Sequence, residues 1–529
     1  MRIERGKEPL TWRLVVPGVA PMTGATGRNY ERSSRTAGSS WARPLLFLHL
    51  IIRSHDFYSG QGEFMKRHLA RWALAYLSGS VLLVFSGTHA QAQAFPFPNQ
   101  GVSFSATLDN PEAGSPTGFG DAVGIEGLTV LAGIPFYGPN NAYGFPTGQG
   151  RVAVFTADTA TGEVWTRTGS IENPNPLEDG GFGQALAIQH HRAIVESAYH
   201  LYVFDEQGTG AAESWDLRAT IALPAPVTNS PPPVIATEFD YGPLAYDDGV
   251  VAATVTRNLD VNGAWQSTVL VYLYEVGRDG HTRLLDKLIP PEGAAGTTVL
   301  PNGQVGCVFG ASLALDAGTL VVGCPAGTGP VTQPYPPGVA YVYSHRGDHW
   351  ELQQTLAGTT AAGAEFGAAV AIHQDVILVG APQEDVDVDS NYNLLGGGAG
   401  YVYLRKRGRE CDTWTLSQRI RPSPSLEMPY GSLGATVAFN DQYAAFAAPG
   451  STQQGEPGLG MTLLYKWQGD QLVYDVEAPY GTNGTSMAMT RSRLVIGTDA
   501  DYLPFAFEEA ALIIDLGPKP PTSLSSTGP

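Results

Sequence analysis

The sequence predicts an all-β fold: a seven-bladed β-propeller of four-stranded antiparallel blades, closed by the N-terminal strand pairing with the last blade. Three observations predict it. First, a hairpin signature recurs along the chain, clearest in Phe366-Gly-Ala-Ala-Val-Ala-Ile-His-Gln-Asp-Val-Ile-Leu-Val-Gly-Ala-Pro382. Its aromatic-Gly opening stands at Phe119, Phe182, Tyr241, Phe309, Phe366, Tyr430 and Tyr480, so the spacings are 63, 59, 68, 57, 64 and 50 residues. Self-similarity at a nearly fixed period marks a repeat architecture. Second, every unit continues into two more β-rich runs, which makes four strands per unit. Third, the last unit lacks its fourth strand, and a matching run, residues 102–108, precedes the first. Radial closure of such sheets buries their faces against one another and protects their edges, whereas a linear stack leaves two ends bare.

Each element has a local reason. In the hairpin, two apolar β-branched runs flank a three-residue polar turn, His373, Gln374 and Asp375, the pattern of paired strands joined tightly. Closing signatures follow as Gly133-Ile-Pro135, Gly323-Cys-Pro325, Gly380-Ala-Pro382 and Ala447-Ala-Pro449. They decay to Glu196-Ser197, Ala253-Thr254 and Gly497-Thr498, so units two, three and seven are degenerate. Third strands are expected at 151–155, 201–204, 269–274, 339–343, 399–404, 461–465 and 511–515. Fourth strands, mostly led by an aromatic, are expected at 165–171, 215–221, 282–289, 350–356, 414–420 and 472–476. Residues 102–108 with Asp109-Asn-Pro111 match 166–171 with Glu172-Asn-Pro174, which assigns the first strand to the last blade.

The propeller is expected to occupy residues 95–517. Residues 1–64 are basic and rich in Ser and Gly, and are expected to be an over-extension of the gene model ahead of the true start, or else disordered. Residues 65–94 have the form of a signal peptide: Lys66, Arg67 and His68, then an apolar core from 73 to 85, then the small-residue cleavage sites of 88–94. A membrane anchor fits less well, because Ser78-Gly79-Ser80 interrupts the apolar run. Secretion or a periplasmic location is therefore expected, with no stable membrane insertion once the leader is cleaved. Residues 518–529, rich in Pro and Ser, are expected to be a disordered tail.

The full chain carries 50 acidic and 31 basic residues. Residues 1–94 hold 5 and 12 of these, so the remainder has 45 against 19, a net charge of −26. Such a surface repels nucleic acid and anionic membranes. Of the three cysteines, Cys307 lies two residues before Phe309 and Cys324 ends the partner strand, within possible disulfide reach; a bonded pair and two free core thiols both fit the spacing. Cys411 is left without a partner.

The aromatic-Gly and Gly-Ala-Pro signatures resemble the FG-GAP repeats of integrin α-chain propellers and of many bacterial envelope proteins, over about residues 101–517. The resemblance implies an extracytoplasmic scaffold, adhesive or carbohydrate-facing, rather than a particular enzyme. Integrin-type repeats often carry an Asp-x-Asp-x-Asp-Gly calcium loop within the hairpin. The corresponding turns here, among them Glu126-Gly127, His190-His191, Asp316 to Gly318 and Asn440-Asp441, lack it and cannot supply the six or more oxygens that calcium takes. No metal or other cofactor is expected. Asp385, Asp387 and Asp389 alternate, but they follow the hairpin and read as a solvated loop. Arg346-Gly347-Asp348 spells the tripeptide that integrins bind, yet it falls in a strand-joining turn where Gly and Asp serve the turn itself.

Two functions remain. A binding scaffold would contact a protein or a glycan through the long loops of one face, called upper here: 136–149, 256–267, 326–337, 383–398, 450–460 and 499–509. These carry Tyr137, Tyr143, Phe145, Trp265, Tyr335, Tyr392, Tyr502 and Phe505, aromatics suited to stacking on a sugar or to a protein contact. The alternative is a hydrolase or lyase acting on polysaccharide with residues at the channel mouth, which spacing within one blade cannot reveal. The sequence holds no phosphate-binding Gly loop, nucleophile elbow or Cys-x-x-Cys, so it names no catalytic residue, and binding is the favoured reading.

Overall fold

The computed structural model describes residues 2–5, 12–15 and 102–517. Within the last span, residues 113–116, 140–147, 159–161, 178, 209–213, 225–240, 262–263, 292–306, 326–337, 359–363, 390–391, 395, 409–411, 423–430, 451–459, 479–483 and 499–508 lie outside the description. The chain separates into two compact units, residues 1–91 and 92–529. In the first, the described residues form a two-stranded hairpin, Arg2–Arg5 with Trp12–Val15. The expected leader at 65–94 and the tail at 518–529 lie outside the described residues.

The second unit is the propeller. Seven four-stranded antiparallel sheets follow one another, and six of them run inner, second, third and outer strand in chain order. Blade 1 comprises Val123–Glu126, Thr129–Ile134, Arg151–Ala157 and Trp165–Glu172; blade 2 comprises Leu186–Gln189, Arg192–Glu196, His200–Gln207 and Ser214–Ala222. The inner strands of blades 3 to 7 are Tyr241–Asp247, Ser312–Asp316, Ala369–His373, Val437–Phe439 and Ser486–Met489. Each inner strand packs beside the next, and the last packs beside the first, so the sheets form a ring. Blade 7 takes its outer strand from the start of the unit: Val102–Asp109 pairs antiparallel with Ala510–Leu516.

Strand alternation explains how one sheet serves two neighbours, because successive side chains point to opposite faces. In blade 2, Ala193, Val195, Tyr202 and Phe204 pack against Leu131, Val152 and Ile171 of blade 1. The residues between them, Ile194, Leu201 and Val203, pack against Val251, Ala253 and Tyr272 of blade 3. The described residues give seven such cores, one at each blade boundary. Tolerance of sequence drift follows, since each core asks only for apolar volume.

The opening signature has a more exacting role. Gly120, Gly183, Gly310, Gly367 and Gly434 all adopt positive φ, between 80° and 96°, a region that favours glycine. Their amides donate to Gly133, Glu196, Gly323, Gly380 and Ala447 at the end of the second strand. This places the opening of blade 6 at Leu433-Gly434 rather than Tyr430-Gly431. By the same register, Ser486 opposite Gly497 puts the opening of blade 7 at residues 483–484, with Gly484 at φ 63°, rather than at Tyr480-Gly481. The backbone turn is what the fold requires, and buried Leu433 fills the aromatic's place.

Two expected loops are also corrected. Residues 256–261 and 264–267 are paired strand rather than loop, because the second and third strands of blade 3 run on as Val250–Val261 and Ala264–Val276. Within 383–398, Val386–Asp389 pairs with Tyr392–Leu394 in a small hairpin of its own. Cys307 and Cys324 are disulfide-bonded, with Cα atoms 5.1 Å apart; Cys411 lies outside the described residues.

Candidate functional site

The two faces of the ring are built differently. Lower connections, which join inner to second and third to outer strands, span two to seven residues, 158–164 being the longest. Upper connections span eight to 23, apart from the three residues 197–199 in blade 2 and the two between Val261 and Ala264 in blade 3. Short turns hold few side chains, and those that follow the inner strands bond the next blade.

The last residues of the inner strands and their turns clasp each blade to the next. Glu126 accepts the amides of His190 and His191 at 2.6 and 2.8 Å. Gln189 bonds both Asp247 and the Asp248 amide at 2.8 Å. Asp247 in turn accepts the Ala317 amide, and Asp316 the Gln374 amide. Gln374 and His373 reach Asp441, Asn440 donates to the Thr490 carbonyl, and Arg493 donates to the Gly127 and Gly162 carbonyls of blade 1. All seven boundaries are bridged. These are the turns that hold calcium in integrin-type repeats; here their side chains hold neighbouring backbone. Among the described residues, no three His, Cys, Asp or Glu side chains converge as a metal site.

On the upper face, buried carboxylates anchor the loops. Glu509 receives the amides of Thr117, Gly118 and Phe119, the Thr117 hydroxyl and the Asn110 amide, at 2.7 to 3.2 Å. It thereby ties blade 7 to the opening of blade 1, 390 residues away. Glu384, in blade 5, accepts the Tyr401 hydroxyl at 2.5 Å and pairs with Arg419. Asp179, ahead of Phe182, accepts Ser197 Oγ, the Tyr199 amide, His200 Nδ1 and Tyr202 Oη at 2.5 to 2.8 Å. Burial and the Asp179 carboxylate both raise the Tyr202 phenol above its ordinary value, so it stays a donor. None of these anchors was singled out from the sequence. The one signal available was an acid placed next to a repeat signature, Asp179 three residues before Phe182.

Asp179 with His200 is an acid–base pair, but it is not wired for covalent catalysis. A serine nucleophile needs its hydroxyl bonded to the imidazole that deprotonates it. Ser197 instead donates to the carboxylate. Two large apolar side chains of this face are exposed, Phe136 at 44% and Leu177 at 88%.

Tyr137 follows the second strand of blade 1. It is half-buried, and one face of its ring is covered by the Arg151 guanidinium, 3.8 Å from the ring centre, which Glu112 and Glu172 hold from behind. Trp265 lies in the third strand of blade 3, its backbone opposite Asp260, and Tyr392 opposite Asp389 in the small hairpin of blade 5. Asp385 is exposed and caps the Gly396 amide at 2.9 Å; Asp387 and Asp389 lie on the same small hairpin. Tyr143, Phe145, Tyr335, Tyr502 and Phe505 lie outside the described residues.

Residues 350–403 match the family model for the FG-GAP repeat. The match begins in the outer strand of blade 4 and ends in the third strand of blade 5. The sequence repeat is therefore offset by one strand from the blade, which is the offset that leaves a first outer strand over for blade 7. No curated protein matches the chain.

Proposed function

We propose, from the premise that this chain is an FG-GAP repeat propeller, that it is an exported, non-catalytic binding scaffold whose upper-face loops contact a protein or a glycan. The observation that carries this reading is the asymmetry of the faces. Lower connections are short, and those after the inner strands are committed to blade-to-blade hydrogen bonds, while upper connections vary in length and are tied down by the buried carboxylates of Glu509, Glu384 and Asp179. Variable loops on a rigid frame are the usual place for recognition. Export rests on the leader-like residues 65–94, and predicts that the secreted product begins between Gln91 and Phe95, as N-terminal sequencing would read.

The test screens the full chain against glycan and extracellular-protein arrays, then compares variants on whatever it captures. Tyr143→Ala and Tyr392→Ala should weaken capture at least tenfold and leave the melting temperature within a degree or two. Asp279→Ala and Asp470→Ala, in lower turns, should change neither. Binding lost only in the lower-turn variants would reverse the assignment of faces, and turnover of a captured polysaccharide would replace binding by catalysis.

A further inference from the structure

The Arg346-Gly347-Asp348 turn borders a cleft of about 240 Å³ on the lower face between blades 4 and 5, lined by Thr319, Ser344, Arg346, Gln353, Arg405 and Asp412. Its walls are fixed by their own bonds. Ser344 Oγ donates to Gln353 Oε1 at 2.8 Å, Gln353 Nε2 donates to the Asp412 carbonyl at 2.6 Å, and Asp412 Oδ1 accepts the Gly408 amide at 3.3 Å. The arginines are less committed. Arg405 lies over the Trp414 ring, 4.7 Å from its centre, and its Nη2 donates to Thr319 Oγ1 at 3.1 Å. That bond uses one of five guanidinium donors. Its Nε is buried without a hydrogen-bond partner, 3.4 Å from Asp375 Oδ1. Arg346 is exposed at the mouth.

Charge adds an independent argument. The chain is strongly acidic, with a net charge of −19, yet Arg405, Lys406 and Arg407 are consecutive beside this cleft and Arg346 faces them from blade 4. Three carboxylates stand near these four cations: Asp375, which pairs with Arg407 at 3.2 Å, Asp412, and Asp348 in the turn that carries Arg346. The cleft is a small positive site on a negative body. Extended polyanions such as nucleic acid, or an anionic bilayer, would meet the repulsion of the whole molecule. A compact anion meets only the cleft, whose volume lies just below the roughly 300 Å³ at which small-molecule sites begin.

We propose that this cleft binds a small polyhydroxylated organic anion of the sugar-acid class. Arg346 and Arg405 hold its carboxylate, for which the guanidinium fork is geometrically matched, and Thr319, Ser344 and Gln353 meet its hydroxyls. The site is separate from the upper face.

Calorimetric titration of the full chain with glucuronate, glucose and inorganic phosphate tests the proposal. Glucuronate should bind saturably, and at least tenfold more tightly than glucose or phosphate, with an affinity that falls as salt is added. Arg346→Ala should weaken it at least tenfold without moving the ligand-free melting temperature, and Arg405→Lys should weaken it while keeping the charge. Tyr392→Ala should have no effect. No saturable binding of glucuronate, equal binding by Arg346→Ala, or phosphate held as tightly as glucuronate would each overturn the assignment.

Discussion

The junction between blades 5 and 6 and the junction between blades 2 and 3 solve one packing problem in opposite ways. At the end of the second strand, blade 5 has Gly380, and a Cβ built there would stand 1.9 Å from the Gly434 carbonyl oxygen of blade 6. Gly133, Gly323 and Gly497 face the same contact with the next blade. Blade 2 has Glu196 at this position, 2% exposed, with Oε2 lacking a hydrogen-bond partner. The strand itself does not demand glycine, since Glu196 keeps the same backbone bonds, accepting from Gly183 and donating to Ala185. The demand comes from the neighbouring turn. Blade 3 opens with an irregular register between Tyr241 and Leu244 rather than the tight turn of blade 6, and that change admits a side chain. At the next boundary, Thr254 fills the equivalent place and donates its hydroxyl to the Gly310 carbonyl at 2.8 Å. A side chain is thus admitted in two ways, by an altered opening of the next blade or by a hydroxyl that bonds the carbonyl it would otherwise crowd.

The largest expected effect comes from opening the ring. Removing residues 95–110 strips the outer strand from blade 7 and bares an edge, which invites aggregation. The melting temperature should fall by at least ~10 °C or the cooperative transition vanish, as several lost kcal/mol imply at about 2–4 °C each; a truncated protein that melts like the full chain would remove the closure from the account of stability.

Next in size is Gly380→Ala. Overpacking of this kind costs typically about 1–3 kcal/mol, sometimes more, and here the obstacle is backbone that cannot rotate away. Chemical denaturation should show a loss of ~3 kcal/mol. Glu196→Gly, the reverse change at the degenerate junction, should be tolerated; were the two equally damaging, the contrast between junctions would not hold.

A subtler effect concerns pH. Burial raises the Glu196 carboxyl well above its ordinary value, opposed in part by the Gly242 amide. The folded chain therefore keeps a proton that the unfolded chain releases. The stability this contributes is fully present below the ordinary carboxylate value of ~4.3 and declines as pH rises towards the raised folded value. Glu196→Gln carries no such proton. The wild-type melting temperature should drop relative to this variant between pH 4.5 and pH 8, and parallel curves would show that Glu196 is not the group responsible.

The smallest predicted effect is that of calcium. Clasps of side chain on backbone already join the lower turns, so excess chelator and millimolar calcium should give melting temperatures within a degree. A ligand at a hundred times its dissociation constant would add about 2.7 kcal/mol, and a rise of several degrees would return attention to Asp385, Asp387 and Asp389.

Most of the fold was legible because it rests on local patterns. Alternating apolar runs read as strands, polar pairs as turns, and the spacing of the signatures as blades. The registers of blades 6 and 7 were misread where Tyr430-Gly431 and Tyr480-Gly481 supplied the expected dipeptide three residues early. The eye follows the aromatic, whereas the backbone selects the glycine able to take positive φ against the second strand, Gly434 or Gly484. Among the upper-face residues, the aromatic loop positions were chosen by composition alone, and Tyr137 shows what that omits: the Arg151 guanidinium over its ring comes from the neighbouring strand. Glu509 and the Arg346–Arg405 cleft could not be read at all, because their partners lie in other blades or many residues away, and Asp179 left only its place three residues before Phe182.

The sequence by itself determined how many blades there are, which strands form each, and that the first strand belongs to the last blade, since all of these follow from period and alternation along the chain. Only the tertiary structure decided which carboxylates are buried anchors, which turns clasp their neighbours, and where a glycine is obligatory. Those properties depend on distances between side chains and backbone that ring closure brings together, and no spacing within a single repeat encodes them.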